Sequence, residues 1–328
     1  MKRKRGKTIL TITAALIAVI VLIDQITVYP FIWTFRAVMG LTGQQGHTGA
    51  YGEAIASADE IAAVQVPVEG YPDASFTVYR PKAVSGDLPA VVFIHGGGWS
   101  MGNAGAVAWF ARLIAANGYV VCSADYALAP EDPYPASTVQ LAEVVQYIYD
   151  RAWDFGIDRN AIFIGGNSAG AHLSSQLGAL FTDREYADRV GVDVRIPGDA
   201  IKGLLLFNGV YNFDTAGDCG FFAFGKWVWA YTGRKDYRAY ARLEEMSTVR
   251  HITLDYPAVF ITVGDADPLE PQTREFADRL SENGVDHTAL LWTGTGAKLD
   301  HDYIYEMNIA EAQKAFETML VFLSEHAG

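Results

Sequence analysis

From residue 55 onward the chain alternates short, unbroken apolar runs with longer stretches of helical spacing. Residues 61–68 and 74–79 alternate apolar and polar side chains about the turn Glu69-Gly70-Tyr71-Pro72-Asp73, which predicts two antiparallel strands. Residues 89–94, 119–124, 161–164, 200–207, 256–263 and 287–292 are near-continuous apolar runs, the pattern of strands covered on both faces. Residues 107–116, 139–149, 171–177 and about 308–323 predict helices, the first stopped by Asn117-Gly118. Strands and helices in this alternation specify one α/β domain over residues 55–328, with a mainly parallel sheet and helices on both faces. Ligands of such sheets bind beyond the carboxyl ends of the strands, so chemistry is expected there. Residues 211–250 break the rhythm and are rich in aromatics. They are expected to form an inserted cap, whose rings either shape a pocket or fill the cap's own core.

Ahead of the domain, Lys2, Arg3, Lys4, Arg5 and Lys7 precede the uncharged run 8–23. At 1.5 Å per residue that run spans only about 24 Å of a hydrocarbon layer near 30 Å. Apolar character resumes over 26–35, where Tyr29, Trp33 and Phe35 suit an interface, and no small-x-small cleavage site follows. Residues 1–39 therefore read as a basic cytosolic tail and an uncleaved membrane signal anchor, which would place the domain outside the cytoplasm. A cleaved signal peptide, and hence secretion, is the alternative. Residues 40–54 contain five glycines and no apolar periodicity, and read as a linker.

The net charge is −13. Setting aside the five basic residues at the N-terminus leaves 20 basic against 38 acidic side chains, or −18, on residues 24–328. Such a surface repels nucleic acid and anionic headgroups, which excludes nucleic-acid binding. The two cysteines, Cys122 and Cys219, form no C-x-x-C pair and leave a disulfide between them open.

Candidate chemistry centres on Gly166-Asn167-Ser168-Ala169-Gly170, between the apolar run 161–164 and the helix that follows. A serine between glycines at a strand-to-helix junction fits the nucleophile elbow; a plain glycine-rich turn is the other reading. A serine hydroxyl needs a base, and the base an orienting acid. Of seven histidines, only His301 lies in a loop after the last strand and before the last helix, where the base belongs in the order Ser, acid, His. The acid should follow the penultimate strand. There Asp267, held extended by Pro268, is the first choice and Asp265 the reserve, whose other role would be to cap the turn. An Asp300-His301-Asp302 metal cluster lacks partners at ligand spacing, so neither metal nor cofactor is expected. Acyl transfer also needs donors for the oxyanion, and His95-Gly96-Gly97-Gly98 after a buried strand supplies them: Gly97, Gly98 and the N–H of Ala169. Trp99, Asn167 and Tyr211 are expected to contact substrate.

Together these motifs resemble the hormone-sensitive-lipase-like group of α/β-hydrolase esterases, from about residue 60 to the C-terminus. His95-Gly96-Gly97-Gly98-Trp99 is similar to that group's HGGG loop, Tyr126-Ala127-Leu128-Ala129-Pro130-Glu131 with Tyr134-Pro135 to its Y-R-L-A-P-E-x-x-F-P loop, and Asp267-Pro268-Leu269 to its D-P-L motif. The resemblance implies a serine carboxylesterase of short-chain or small aryl esters, with a cap built partly from N-terminal residues. The chain departs from the group at Asn167, where aspartate is usual, at Ala171 and Ala127, and at Asp302-Tyr303 after the histidine. An amidase or formamidase with the same triad, or a non-catalytic binding module tethered at a membrane, are the alternative functions.

Overall fold

The computed structural model describes residues 23–42 and 51–328. Nearly all of the apolar run expected to anchor the chain, and residues 43–50 of the expected linker, lie outside the described residues. Among the described residues no helix is long and apolar enough to cross a membrane.

Eight strands form one sheet: β1 (Ala58–Val66), β2 (Ala74–Pro81), β3 (Leu88–Ile94), β4 (Val120–Asp125), β5 (Ile157–Asn167), β6 (Ile201–Phe207), β7 (Ala258–Val263) and β8 (His287–Leu291). Their order is β1-β2-β4-β3-β5-β6-β7-β8. β1 pairs with β2, and β2 with β4, antiparallel; the remaining pairs are parallel. The described helices are α1 (Tyr29–Thr42), α2 (Gly52–Ala56), α3 (Ala108–Ala115), α4 (Ala136–Asp150), α5 (Ala169–Thr182), α6 (Arg184–Val190), α7 (Phe224–Thr232), α8 (Leu243–Met246), α9 (Glu270–Glu282) and α10 (Ala310–His326).

Side chains alternate across a strand, so an unbroken apolar run feeds two cores at once. Val92, Ile94, Ile164, Leu204 and Ile261 pack with Leu141 and Val145 of α4, Leu173 and Leu177 of α5 and Phe276 of α9. Their neighbours Val91, Phe93, Phe163, Leu205 and Phe260 pack with Phe110 of α3 and Phe316, Met319 and Phe322 of α10. This rigid double layer places the ends of β3, β5, β6, β7 and β8 side by side. Both cysteines are free, with Cys122 buried in β4.

The N-terminal helix revises one expectation. Residues 29–39, read as the tail end of the anchor, belong to α1, which is docked on the domain. Val28 and Ile32 are buried, and Phe31 and Phe35 meet the Trp227 ring of α7 edge-on at 4.9 and 5.0 Å. Packing on the domain accounts for the apolar character of Val28, Phe31, Ile32 and Phe35, whereas Ile26 and Trp33 stay exposed. Arg36 fastens the helix: its guanidinium forks onto the two Glu131 carboxylate oxygens, both at 2.8 Å, and donates to the carbonyls of Ser100 and Ala129. An ion pair this exposed contributes at most about 1 kcal/mol, so its work is registration of α1 against the glycine loop.

Candidate active site

Ser168 sits between β5 and α5 with φ 54° and ψ −119°. This is a strained conformation for a residue with a Cβ, and it lifts the hydroxyl clear of the turn. A Cβ on Gly166 or Gly170 would lie 2.2 or 2.1 Å from the Ile94 carbonyl oxygen, so the close approach of β3 to the turn demands both glycines.

The glycine loop leaves β3 immediately beside it. Gly97 has φ 122°, and a Cβ there would lie 2.1 Å from the Met101 carbonyl oxygen. The Gly96 N–H donates to Asn167 Oδ1 at 2.9 Å, and the Gly97 carbonyl accepts from the N–H groups of Ser100 and Met101. Among the described hydrogen bonds none uses the N–H of Gly97 or Gly98, which leaves both available to a ligand oxygen. The Ala169 N–H, in the first turn of α5, lies at a helix N-terminus, where such groups are unpaired.

His301 and Asp267 come together as expected: His301 Nδ1 donates to Asp267 Oδ2 at 2.8 Å, while Asp267 Oδ1 accepts from the Leu269 N–H at 2.8 Å. Asp265 takes the other part considered for it. Its carboxylate accepts from the Leu299 N–H at 2.8 Å and the Thr295 hydroxyl at 3.2 Å, and so braces the loop that carries His301. Burial alone would lower the His301 pKa. The Asp302 carboxylate, together with the hydrogen bond and charge of Asp267, overrides that and pushes it up to about 9. Among the described hydrogen bonds none joins Ser168 Oγ to His301. In ligand-free sites such bonds are commonly long and close when substrate enters.

Two spaces border the glycine loop. A recess of about 20 Å³ is lined by Gly98, Trp99, Ser168, Ala169, Phe221 and Trp227, among others. A cleft of about 630 Å³ has Arg36, His95, Gly97, Asn167, Asp302 and Tyr305 in its walls. Phe221 connects the halves of the site, since it lines the recess and packs edge-on against the His301 ring at 5.0 Å.

Trp99 faces the recess as a rigid wall, stacked on Tyr231 at 4.8 Å, with its indole N–H donating to His172 Nδ1 at 3.1 Å. Burial holds the His172 pKa down to about 4, which keeps that nitrogen an acceptor. Asn167 lies in the cleft wall and bridges the Gly96 N–H to the Asp302 carboxylate. Tyr211 is placed differently from expectation. Its ring is fully buried against Phe276 of α9 at 4.4 Å, and it lines neither space. It follows β6 by four residues, and there the chain turns down into the core before rising into the cap.

Asp302 and Asn208 were not foreseen. Asn208 Nδ2 donates to Asp302 Oδ1 at 2.7 Å. Asn208 directly follows a buried parallel strand, so the strand-end rule applied to β6 would have found it. Asp302 had one available signal, a charge beside the histidine where the resembled group has a small polar residue.

Comparison with known proteins agrees with this architecture. The description of the alpha/beta hydrolase fold family matches residues 91–300, well over half of the chain. The carboxylesterase NlhH of Mycobacterium tuberculosis is 37% identical over 119 residues, 36% of this chain and 37% of that protein. The match thus spans little more than a third of that curated relative. Esterase LipC of Mycobacterium tuberculosis is 27% identical over 221 residues, covering 64% of this chain and 53% of its own. Among solved structures, esterase B from Lactobacillus rhamnosis superposes with a TM-score of 0.73 at 19% identity, over 93% of this chain and 96% of that one. A bacterial heroin esterase gives 0.68 at 20% identity, over 87% and 91%. With the strand order, the elbow and this family match in agreement, the chain belongs to the α/β-hydrolase fold family.

Proposed function

We propose that the protein is a serine carboxylesterase acting on esters with a very short acyl limb. The observation that carries this reading is the recess: Ser168, Gly98 and Ala169 share its wall, and its volume of about 20 Å³ is close to what one water needs. A group the size of an acetyl methyl fits there, while the larger limb of the ester occupies the cleft. The names of the carboxylesterase and esterase relatives support the same reaction class.

In the reaction, His301 Nε2 takes the Ser168 proton as Oγ attacks the ester carbonyl. The N–H groups of Gly97, Gly98 and Ala169 hold the oxyanion. The tetrahedral intermediate collapses, His301 gives the proton to the leaving alcohol, and the acyl group stays on Ser168. Water, deprotonated by His301, then attacks the acyl-enzyme and releases the acid. Asp267 holds the Nδ1–H tautomer throughout. The N-terminal apolar run supports attachment to a membrane with this domain outside the cytoplasm; release of the full chain by alkaline carbonate would contradict that location.

The functional reading is tested by labelling with a fluorophosphonate probe and by paired kinetics. Ser168 is expected to carry the label, and p-nitrophenyl acetate to be cleaved faster than both the octanoate and p-nitroacetanilide. Faster turnover of the anilide would mark an amidase, and a folded protein that takes no label would mark a binding module.

Recess size also makes a prediction. Trp227 packs over Gly98, where a Cβ would lie 2.9 Å from its ring. Trp227→Ala should open the recess and raise the octanoate-to-acetate ratio of kcat/KM by about tenfold or more, since each accommodated methylene contributes on the order of 1 kcal/mol. An unchanged ratio would place the acyl limb elsewhere.

A further inference from the structure

We propose that Asp302 is a positioning residue for this reaction, tying the His301 loop to the glycine loop and serving His301 as a second carboxylate on the side opposite Asp267. One carboxylate oxygen does the tying. Asp302 Oδ1 accepts from Asn167 Nδ2 at 2.9 Å and from Asn208 Nδ2 at 2.7 Å, and Asn167 in turn accepts the Gly96 N–H. The end of β5 and the segments that follow β6 and β8 are thereby joined at one carboxylate, and Asn167 extends the link to the loop after β3. The other oxygen, Oδ2, stands 4.0 Å from His301 Nε2, the nitrogen that handles the proton, while Asp267 occupies Nδ1.

The backbone at both partners is compatible with this arrangement. Asp302 has φ 64° and Asn208 φ 43°, both in the left-handed region. Aspartate and asparagine enter that region more readily than other residues with a Cβ, so each backbone suits the side chain it carries to this carboxylate. The elbow's asparagine becomes intelligible as well: a carboxylate at 167 would face that of Asp302, whereas an amide donates to it.

The groups acting on the imidazole are Asp302 from its own loop, Asp267 from the segment after β7, the Asn208 amide after β6 and the Phe221 ring of the cap. Burial together with the Asp302 charge holds the Tyr305 hydroxyl protonated. Arg36 across the cleft is engaged with Glu131. The imidazolium formed when Ser168 loses its proton is therefore flanked by carboxylates at both nitrogens. The same charges favour protonation of the resting base, so neutral His301 becomes abundant only at alkaline pH.

This inference rests on Ser168 and His301 acting as nucleophile and base. Its test is the pH profile of kcat/KM for p-nitrophenyl acetate with Asp302→Asn. Asparagine keeps the shape and tolerates the left-handed backbone. The wild-type profile should rise with pH through about 9. In the variant, loss of an opposite charge within about 4–6 Å should move that limb down by roughly one unit. The two curves then cross: the variant is several-fold faster at pH 7 and several-fold slower on the alkaline plateau. A merely structural role would lower the whole curve by one factor without moving the limb, and that result would overturn the proposal. Should the variant not fold, NMR titration of the wild-type imidazole, assigned by its loss in His301→Gln, gives an independent answer. A midpoint near 9 supports the second carboxylate, and one near the ordinary histidine value of about 6.5 sinks it. An inactive Ser168→Ala with an unmoved limb in Asp302→Asn removes Asp302 alone. A fully active Ser168→Ala removes the esterase reading beneath it.

Discussion

Ser168→Ala is expected to lower kcat/KM for p-nitrophenyl acetate by about four orders of magnitude or more while leaving the fold intact. In the mechanism proposed above the hydroxyl forms the acyl-enzyme, and water attacking directly would have neither its position nor its proton path. The donors of Gly97, Gly98 and Ala169 remain in the variant, so a residual rate above the uncatalysed one should persist. Stability should change little, because the Ser168 backbone is held by its N–H bond to the Phe207 carbonyl at 2.8 Å. Alanine needs no more room in that turn than serine. The check is steady-state kinetics beside a thermal melt. Wild-type turnover in a folded Ser168→Ala protein would remove Ser168 from the mechanism.

Asp267→Asn should cost about 10⁴ in kcat, for a reason the hydrogen bonds make specific. Both carboxylate oxygens accept: Oδ1 from the Leu269 N–H and Oδ2 from His301 Nδ1, each at 2.8 Å. An amide has one acceptor and one donor. If its oxygen keeps the Leu269 bond, its NH2 faces Nδ1. The imidazole then carries its proton on Nε2 and has no lone pair to offer Ser168. If its oxygen turns to His301, the buried Leu269 N–H loses its partner, at a cost of about 1–3 kcal/mol in stability. Either outcome separates Asp267 from Asp302, whose replacement by asparagine is predicted to shift a limb of the pH profile and to leave substantial activity. A loss below tenfold for Asp267→Asn with unchanged thermal stability would mean that another group orients His301.

Much of the site was legible because its parts lie at strand ends. The runs that became β3, β5 and β7 could be recognised from near-continuous apolar character and β8 from its place before the last helix, and Gly97, Ser168, Asp267 and His301 follow these four strands in chain order. The stretch between β7 and β8 was not assigned a helix, although Thr273, Phe276, Ala277 and Leu280 are buried at helical spacing along α9. Its many charges obscured a narrow apolar stripe. The cap aromatics were left between two readings, and the structure divides them: Phe221, Phe224 and Trp227 line the recess, whereas Trp229 and Tyr231 pack within the cap and against Trp99.

The sequence by itself determined the α/β alternation, the serine turn, the glycine loop after β3 and the placing of Asp267 and His301 beyond neighbouring strands, because each follows from local pattern and position relative to a strand. Only the tertiary structure decided that 29–42 is a helix seated on the cap, that Tyr211 points into the core, and that Asp302, Asn167, Asn208 and Gly96 form one unit. These are contacts between segments about 65 to nearly 200 residues apart, and nothing in the local spacing of either partner records the other. The charge beside His301 could be read from the chain. Its distance from Nε2, on which the basicity of the site depends, could not.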